Sequence, residues 1–137
     1  MAQRPSVHLV HCVVCDDVRT EILSKETIVG VYSAGITIPD VPWVIMLCLW
    51  MTVIWSGDGE LPIEIRVLNP RHSQVAEQRG VGRAVFQGLE STITFRNLFI
   101  TMEMGGVYTF QWRAGDGDWE MARQLPVYVF RNETSAS

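Results

Sequence analysis

Cys12-Val-Val-Cys15 has the spacing of a redox or zinc-binding pair. Such pairs work at helix starts or in tight knuckles, where the two sulfurs converge. This one lies in an apolar run, Val7 to Cys15, that reads as a β-strand. Positions three apart in a strand point to opposite faces. No second Cys-x-x-Cys follows, so the sequence predicts buried structural thiols. His8 and His11 have the same spacing and are expected to diverge in the same way, while His72 stands alone in a loop. No metal centre is expected.

The best polar cluster is Asp16, Asp17, Arg19 and Glu21. It reads either as a cation or ligand site at a strand end or as a turn. The turn reading is preferred, held by aspartate-to-backbone hydrogen bonds and an arginine–carboxylate pair. Asp116, Asp118 and Glu120 lack the ligand spacing and number that calcium needs, and read as a solvated hairpin tip. Arg79-Gly-Val-Gly-Arg83 could cradle a phosphate on backbone amides. It has no following lysine and no strand-to-helix context, so it reads as a flexible loop. Neither a Gly-x-Ser-x-Gly elbow nor a His-Glu-x-x-His motif occurs. The expectation is a protein that is not an enzyme and uses no cofactor. The competing expectation is a small-ligand-binding or hydrolytic protein with its site near Asp16, Asp17 and Arg19.

The chain has 137 residues, enough for one domain with a real core. Hydrophobic residues make up 47% and charged residues 19%, which argues against intrinsic disorder. A net charge of -4, with scattered basic residues, gives no field to attract nucleic acid. Ten of the basic residues are arginine and only Lys25 is lysine, which reads as genome composition. The start shows no secretory signal, and three cysteines make an odd set. The expected compartment is therefore reducing, cytoplasmic or virion-associated. Asn132-Glu-Thr134 matches a glycosylation sequon and reads as accidental.

The positioning elements are strands. Val7 to Cys15 and Glu26 to Ser33 are the first two. Val18 to Leu23 pairs across the turn or forms a helical turn capped by Asp16 or Asp17. Gly35 to Pro42 crosses over to a long central strand, Trp43 to Trp55. Leu61 to Leu68 alternates cleanly, as a half-buried antiparallel strand does. Asn69-Pro70 opens a loop, and Ser73 to Gly80 could carry a helical turn. Arg83 to Gln87 is a weak strand. Thr92 to Met102 breaks alternation near Asn97, as at a bulge. Val107 to Arg113 puts Tyr108, Phe110 and Trp112 on one side, and Asp116-Gly117 turns into Trp119 to Phe130. Pro126 marks a bulge or an edge. About eight strands with regular turn signals predict an antiparallel β-sandwich, immunoglobulin-like or C2-like. Its core should include Val31, Leu47, Leu49, Ile65, Phe95, Tyr108, Phe110 and Trp112. By fold analogy, Tyr108 is placed to anchor its own corner.

Val13-Val14-Cys15-Asp16-Asp17-Val18-Arg19, Glu21, Lys25 and Ile28-Val29-Gly30-Val31-Tyr32 resemble the opening of a family of uncharacterised bacterial and prophage-borne proteins. Its signature is Cys-Asp-Asp-x-Arg, a turn ending in Gly-Lys, and a strand with glycine before an aromatic residue. Ser24 stands where that pattern has glycine. The resemblance implies a compact β-sandwich and brings no activity, cofactor or catalytic residue.

Residues 43–55 are too short for a membrane helix and too apolar for an ordinary strand. Inward-pointing residues are needed for a core. The other parity holds Val44, Met46, Cys48, Trp50 and Ile54, interrupted only by Thr52. Leaving that set wet would forgo roughly 7–15 kcal/mol, about the whole stability of a domain. Residues 16–25 or 69–82 could cover it. The sharper expectation is an interface formed by these five side chains, in a homo-oligomer or a larger assembly such as a phage particle, with protein as partner and neither nucleic acid nor membrane.

Overall fold

The computed structural model describes residues 5–83 and 89–130. The strands are β1 (Ser6–Thr20), β2 (Glu26–Val31), β3 (Ile36–Ile38), β4 (Trp43–Ser56) and β5 (Glu60–Leu68), then β6 (Gln74–Arg83), β7 (Glu90–Met102), β8 (Gly106–Ala114) and β9 (Glu120–Val129). They form an all-β sandwich. Sheet A has the order β2-β1-β4-β7 and sheet B the order β3-β9-β8-β5-β6. Every pairing is antiparallel except β3 with β9. The sequon at Asn132–Thr134, and the weak strand predicted beyond Arg83, lie outside the described residues.

β4 is internal, as its composition predicts, with β1 on one side and β7 on the other. Its inward parity, Leu47, Leu49, Met51, Val53 and Trp55, is buried. Those side chains join one core with Ile63, Ile65 and Val67 of β5 and Tyr108, Phe110 and Trp112 of β8. Burying each such side chain contributes about 1.5–3 kcal/mol, so this layer dominates folding. The Tyr108 hydroxyl donates to the Met104 carbonyl at 2.8 Å and anchors the corner at the start of β8. The break in β7 is a bulge: Leu47 pairs with Leu98 and Leu49 with Phe95, leaving an extra residue near Asn97, whose φ is 56°.

Four expectations need correction. Val31 is 52% exposed. It pairs with Cys15, whose side chain faces away from the main core, and β2 is an edge strand. Residues 79–83 are not a loop, and no helical turn precedes them. β6 runs through both segments and pairs with β5 from Glu60↔Arg83 to Leu68↔Gln74. Glycine weakens a strand but does not forbid it once a partner ladder exists. At Gly80 the Phe95 ring stands 3.6 Å from where a Cβ would lie, an ordinary packing distance, so the strand does not require glycine there. The crossover contains the short β3. Finally, β9 is an edge only in part: β3 flanks its last residues, and the stretch that ends at Pro126 has β8 alone as partner. The β3 pairing covers only Val127–Val129, so Pro126 sits just past its end, where no backbone donor is required.

Candidate binding surface

The two cysteines of the Cys-x-x-Cys pair diverge. Cys12 pairs with Met51 and joins the main core. Cys15 pairs with Cys48 and joins a small cluster on the outer side of sheet A. Burial pushes the Cys12 thiol up to about 12. Burial, then the neighbouring Cys48 and the Asp16 and Asp17 carboxylates, push Cys15 up to about 11. These are inert thiols, since the thiolate is the reactive form.

The histidines behave otherwise. A register shift between Leu9 and His11 inserts a residue into β1. His8 then pairs with Ile54 and His11 with Thr52, both on the outward parity of β4. The expectation that the histidines diverge is therefore wrong: the bulge brings both to the outer face of sheet A. Among the described residues no three histidine, cysteine or carboxylate side chains gather as metal ligands would.

The polar cluster divides. Asp16 accepts a 2.5 Å hydrogen bond from the Tyr32 hydroxyl and lies against Gly30. A Cβ on Gly30 would stand 2.2 Å from Asp16 Oδ2, and its φ is +68°, so glycine is required there twice over. Desolvation, then the bond to Asp16, push Tyr32 up to about 12. Asp17 accepts from the Val18 backbone N–H at 2.8 Å. Its carboxylate lies 3.7 Å from Arg19 and 3.8 Å from Arg96. The Glu21 backbone N–H closes the turn onto the Lys25 carbonyl at 2.6 Å. Arg96 comes from β7, distant in sequence, and its Nη1 also donates to the Val18 carbonyl.

The outer face of sheet A has two halves. β1 pairs with β4 only as far as Cys15↔Cys48. Beyond that point β1 keeps β2 alone, and the two form an arm ending in a 3-10 turn at Ile22–Ser24. Val18 and Cys15 bury Cys48, with Val13, Ile28 and Trp50 packed around them. Trp50 is part-covered and donates from Nε1 to Glu26 Oε1 at 3.3 Å. Ile54 is also part-covered. Of the five expected interface residues, then, the arm removes Cys48 from the surface and partly covers Trp50. The expected segment 16–25 contributes Val18 to that cover; Cys15, Glu26 and Ile28, outside it, supply the rest.

The other half is bare. Val44 is 60% exposed and Met46 47%. Met46 pairs with Phe99 of β7, which is 61% exposed. Val31 lies apart from them, across the buried Cys15–Cys48 pair on the edge strand β2. The break in alternation near Asn97 was the available signal for Phe99: the bulge resets the parity of β7 and turns this side chain outward between buried Leu98 and Ile100. The arm tip is barer still: Ile22 and Leu23 are 85% and 86% exposed.

Sheet B presents charge at its centre. Arg113 Nη2 lies 2.8 Å from Glu64 Oε2, and Arg79 lies 3.8 Å from Glu64. Arg66 donates to Gln111 at 2.7 Å. The Arg66 and Arg113 guanidiniums stack on the Trp119 ring at 4.3 and 4.5 Å from its centroid. A cleft of about 360 Å³ is lined by Glu64, Ile65, Glu77, Gln78, Arg79 and Trp119. Its Glu64 is paired with Arg79 and Arg113, while Glu77 accepts from Gln74. At the β9 end, Val107, Tyr128 and Phe130 are also exposed, at 48%, 57% and 66%.

No family model and no curated protein matches this chain.

Proposed function

We propose that this protein is a non-enzymatic structural or protein-binding β-sandwich module. It works in an assembly, as a homo-oligomer or as a repeated component of a particle such as a phage virion. The supporting observation is the exposure of Val44, Met46 and Phe99 on the outer face of sheet A. Contiguous apolar exposure of this kind marks interaction surfaces on soluble proteins. The mixed-charge face of sheet B shows that the same chain can present an ordinary solvated surface.

The competing reading is a ligand-processing site at Asp16, Asp17 and Arg19. Those groups are engaged by the chain itself: Asp16 by Tyr32, and Asp17 by Arg19, Arg96 and the Val18 amide. A thermal-shift screen of metals and small metabolites separates the readings. The expected result is no ligand that stabilises wild type while leaving an Asp16→Ala, Asp17→Ala double variant unmoved. Such a ligand would overturn the module reading. In the same preparations, Phe99→Asp should raise the solubility limit while leaving the fold intact.

A further inference from the structure

We infer that Cys15 and Cys48 form a cross-strand disulfide under oxidising conditions, and that this bond fastens the root of the arm to β4. The inference is independent of the assembly reading above.

The spacing in the sequence presents Cys12 and Cys15 as the pair, and the fold pairs them otherwise. Cys12 lies opposite Met51 and faces the main core. Cys15 lies directly opposite Cys48, and both side chains enter the satellite cluster on the outer side of sheet A. Two of the three thiols therefore share a face and a register position, while the sheet itself separates them from the third. Directly opposed residues of an antiparallel pair have Cα atoms about 4.5 or 5.5 Å apart. Both spacings fall within the range of about 4.4–6.8 Å that a disulfide spans. The Cys15 side chain already leans across the ladder, with its Sγ 3.6 Å from the Cys48 carbonyl oxygen. The nearness of Cys48 is also, after burial, a reason that the Cys15 thiol titrates high.

Cys15↔Cys48 is the last pair between β1 and β4, and beyond it β1 keeps only β2. Over β4 the arm is held by the packing of Val18 and Ile28 and by the 3.3 Å hydrogen bond from Trp50 to Glu26. A covalent link at the end of the ladder joins residues 33 positions apart. It removes loop-closure entropy from the unfolded chain and so tightens the arm on the sheet.

The oxidant is a small disulfide such as oxidised glutathione. One cysteine thiolate attacks it, forming a mixed disulfide and releasing one reduced glutathione. The second thiolate attacks the protein sulfur of that mixed disulfide and releases the other. The cysteines lose two electrons and two protons, and the protons end on the two glutathione thiols. Cys15 is 0% exposed and Cys48 4%. The exchange therefore runs while the arm is open, in folding or local unfolding, and the finished bond is shielded. In a reducing compartment the pair stays as thiols.

The test is to refold the full chain from urea in a mixture of oxidised and reduced glutathione. After quenching by unfolding in excess maleimide, the product should carry one label, on Cys12, where the reduced chain carries three. Tandem mass spectrometry of an unreduced digest should join Cys15 to Cys48. Cys12→Ala should keep that link and Cys48→Ala abolish it. The oxidised chain should show a urea midpoint about 1 M above that of the reduced chain. The amides of residues 16–31 should exchange more slowly in it. A folded product with three labelled thiols, a link through Cys12, or an adduct stalled with glutathione overturns the inference. A link that moves neither the midpoint nor the arm's exchange overturns the fastening. If refolding gives aggregate, the native chain held in the same buffer at urea below its midpoint yields the same readouts.

Discussion

Sheet B and sheet A solve the same problem differently. Each central strand buries one face in the shared core and must do something with the other. β5 and β8 turn Glu64, Arg66, Gln111 and Arg113 outward, and these side chains pair with one another and stack on Trp119. β4 turns Val44, Met46, Cys48, Trp50 and Ile54 outward and cannot be solvated so cheaply. The chain covers part of that face with its own arm and leaves the rest bare. An apolar outer face is thus not one feature but two, a satellite core and a surface. Only the second is available to a partner.

The largest effect that could break this division is at Cys48. It is buried at 4% exposure beneath Val18 and Cys15. Cys48→Asp places an unpaired charge there and should cost about 3–5 kcal/mol in urea melts. A cost below 1 kcal/mol would mean that the arm does not cover it.

Next comes the arm's glycine, Gly30. Gly30→Ala drives a methyl into the Asp16 carboxylate and forces a non-glycine residue into positive φ. A loss of about 1–3 kcal/mol is expected. Hydrogen exchange should locate the loosening in residues 16–31, with β5 and β8 unchanged.

Much of the sandwich was legible from the residues. The alternation of Ile63, Ile65 and Val67 gave β5, and Gly106-Val-Tyr108 placed the tyrosine at its corner. The apolar parity of β4 gave the internal strand. Other features depend on backbone irregularities that alternation does not encode. An inserted residue in β1 turns His8 and His11 to one face. Val31 lies outside the core because its neighbour Cys15 belongs to the satellite cluster. Arg96 reaches the arm from far along the chain, and Trp119 receives two arginines from different strands. For the candidate surface, composition supplied Val44 and Met46. Phe99 and the Ile22–Leu23 tip needed the fold.

On the sheet B side, Trp119→Ala removes the platform under Arg66 and Arg113. It should cost about 1 kcal/mol, because the pairs are partly solvated. Half of that loss or more should persist at high salt if stacking matters more than charge. A cost that vanishes in salt would assign the network to ion pairing alone.

Alkaline pH offers a gentler probe of the buried thiols in both the main core and the covered half. The fold holds protons on Cys12 and Cys15 up to about 12 and 11, against 9.0 without the fold. Tyr32 behaves likewise, at about 12 against 10.0. Over that range the unfolded chain binds fewer protons, so stability falls as pH rises. Their contribution should be complete below pH 9 and decline between about pH 9 and pH 12. Cys15→Ala should flatten part of that decline, and thiol-reactive dye should label neither cysteine before unfolding.

The smallest expected effect is the most direct test. Met46→Asp and Phe99→Asp, combined in one chain, alter the bare half only two positions along β4 from Cys48. A surface held for a partner contributes nothing to the isolated fold. Measured at a concentration where wild type is monomeric, the double variant should unfold within about 0.5 kcal/mol of it. A loss of 2 kcal/mol or more would contradict the account, because it would place these side chains in the chain's own core.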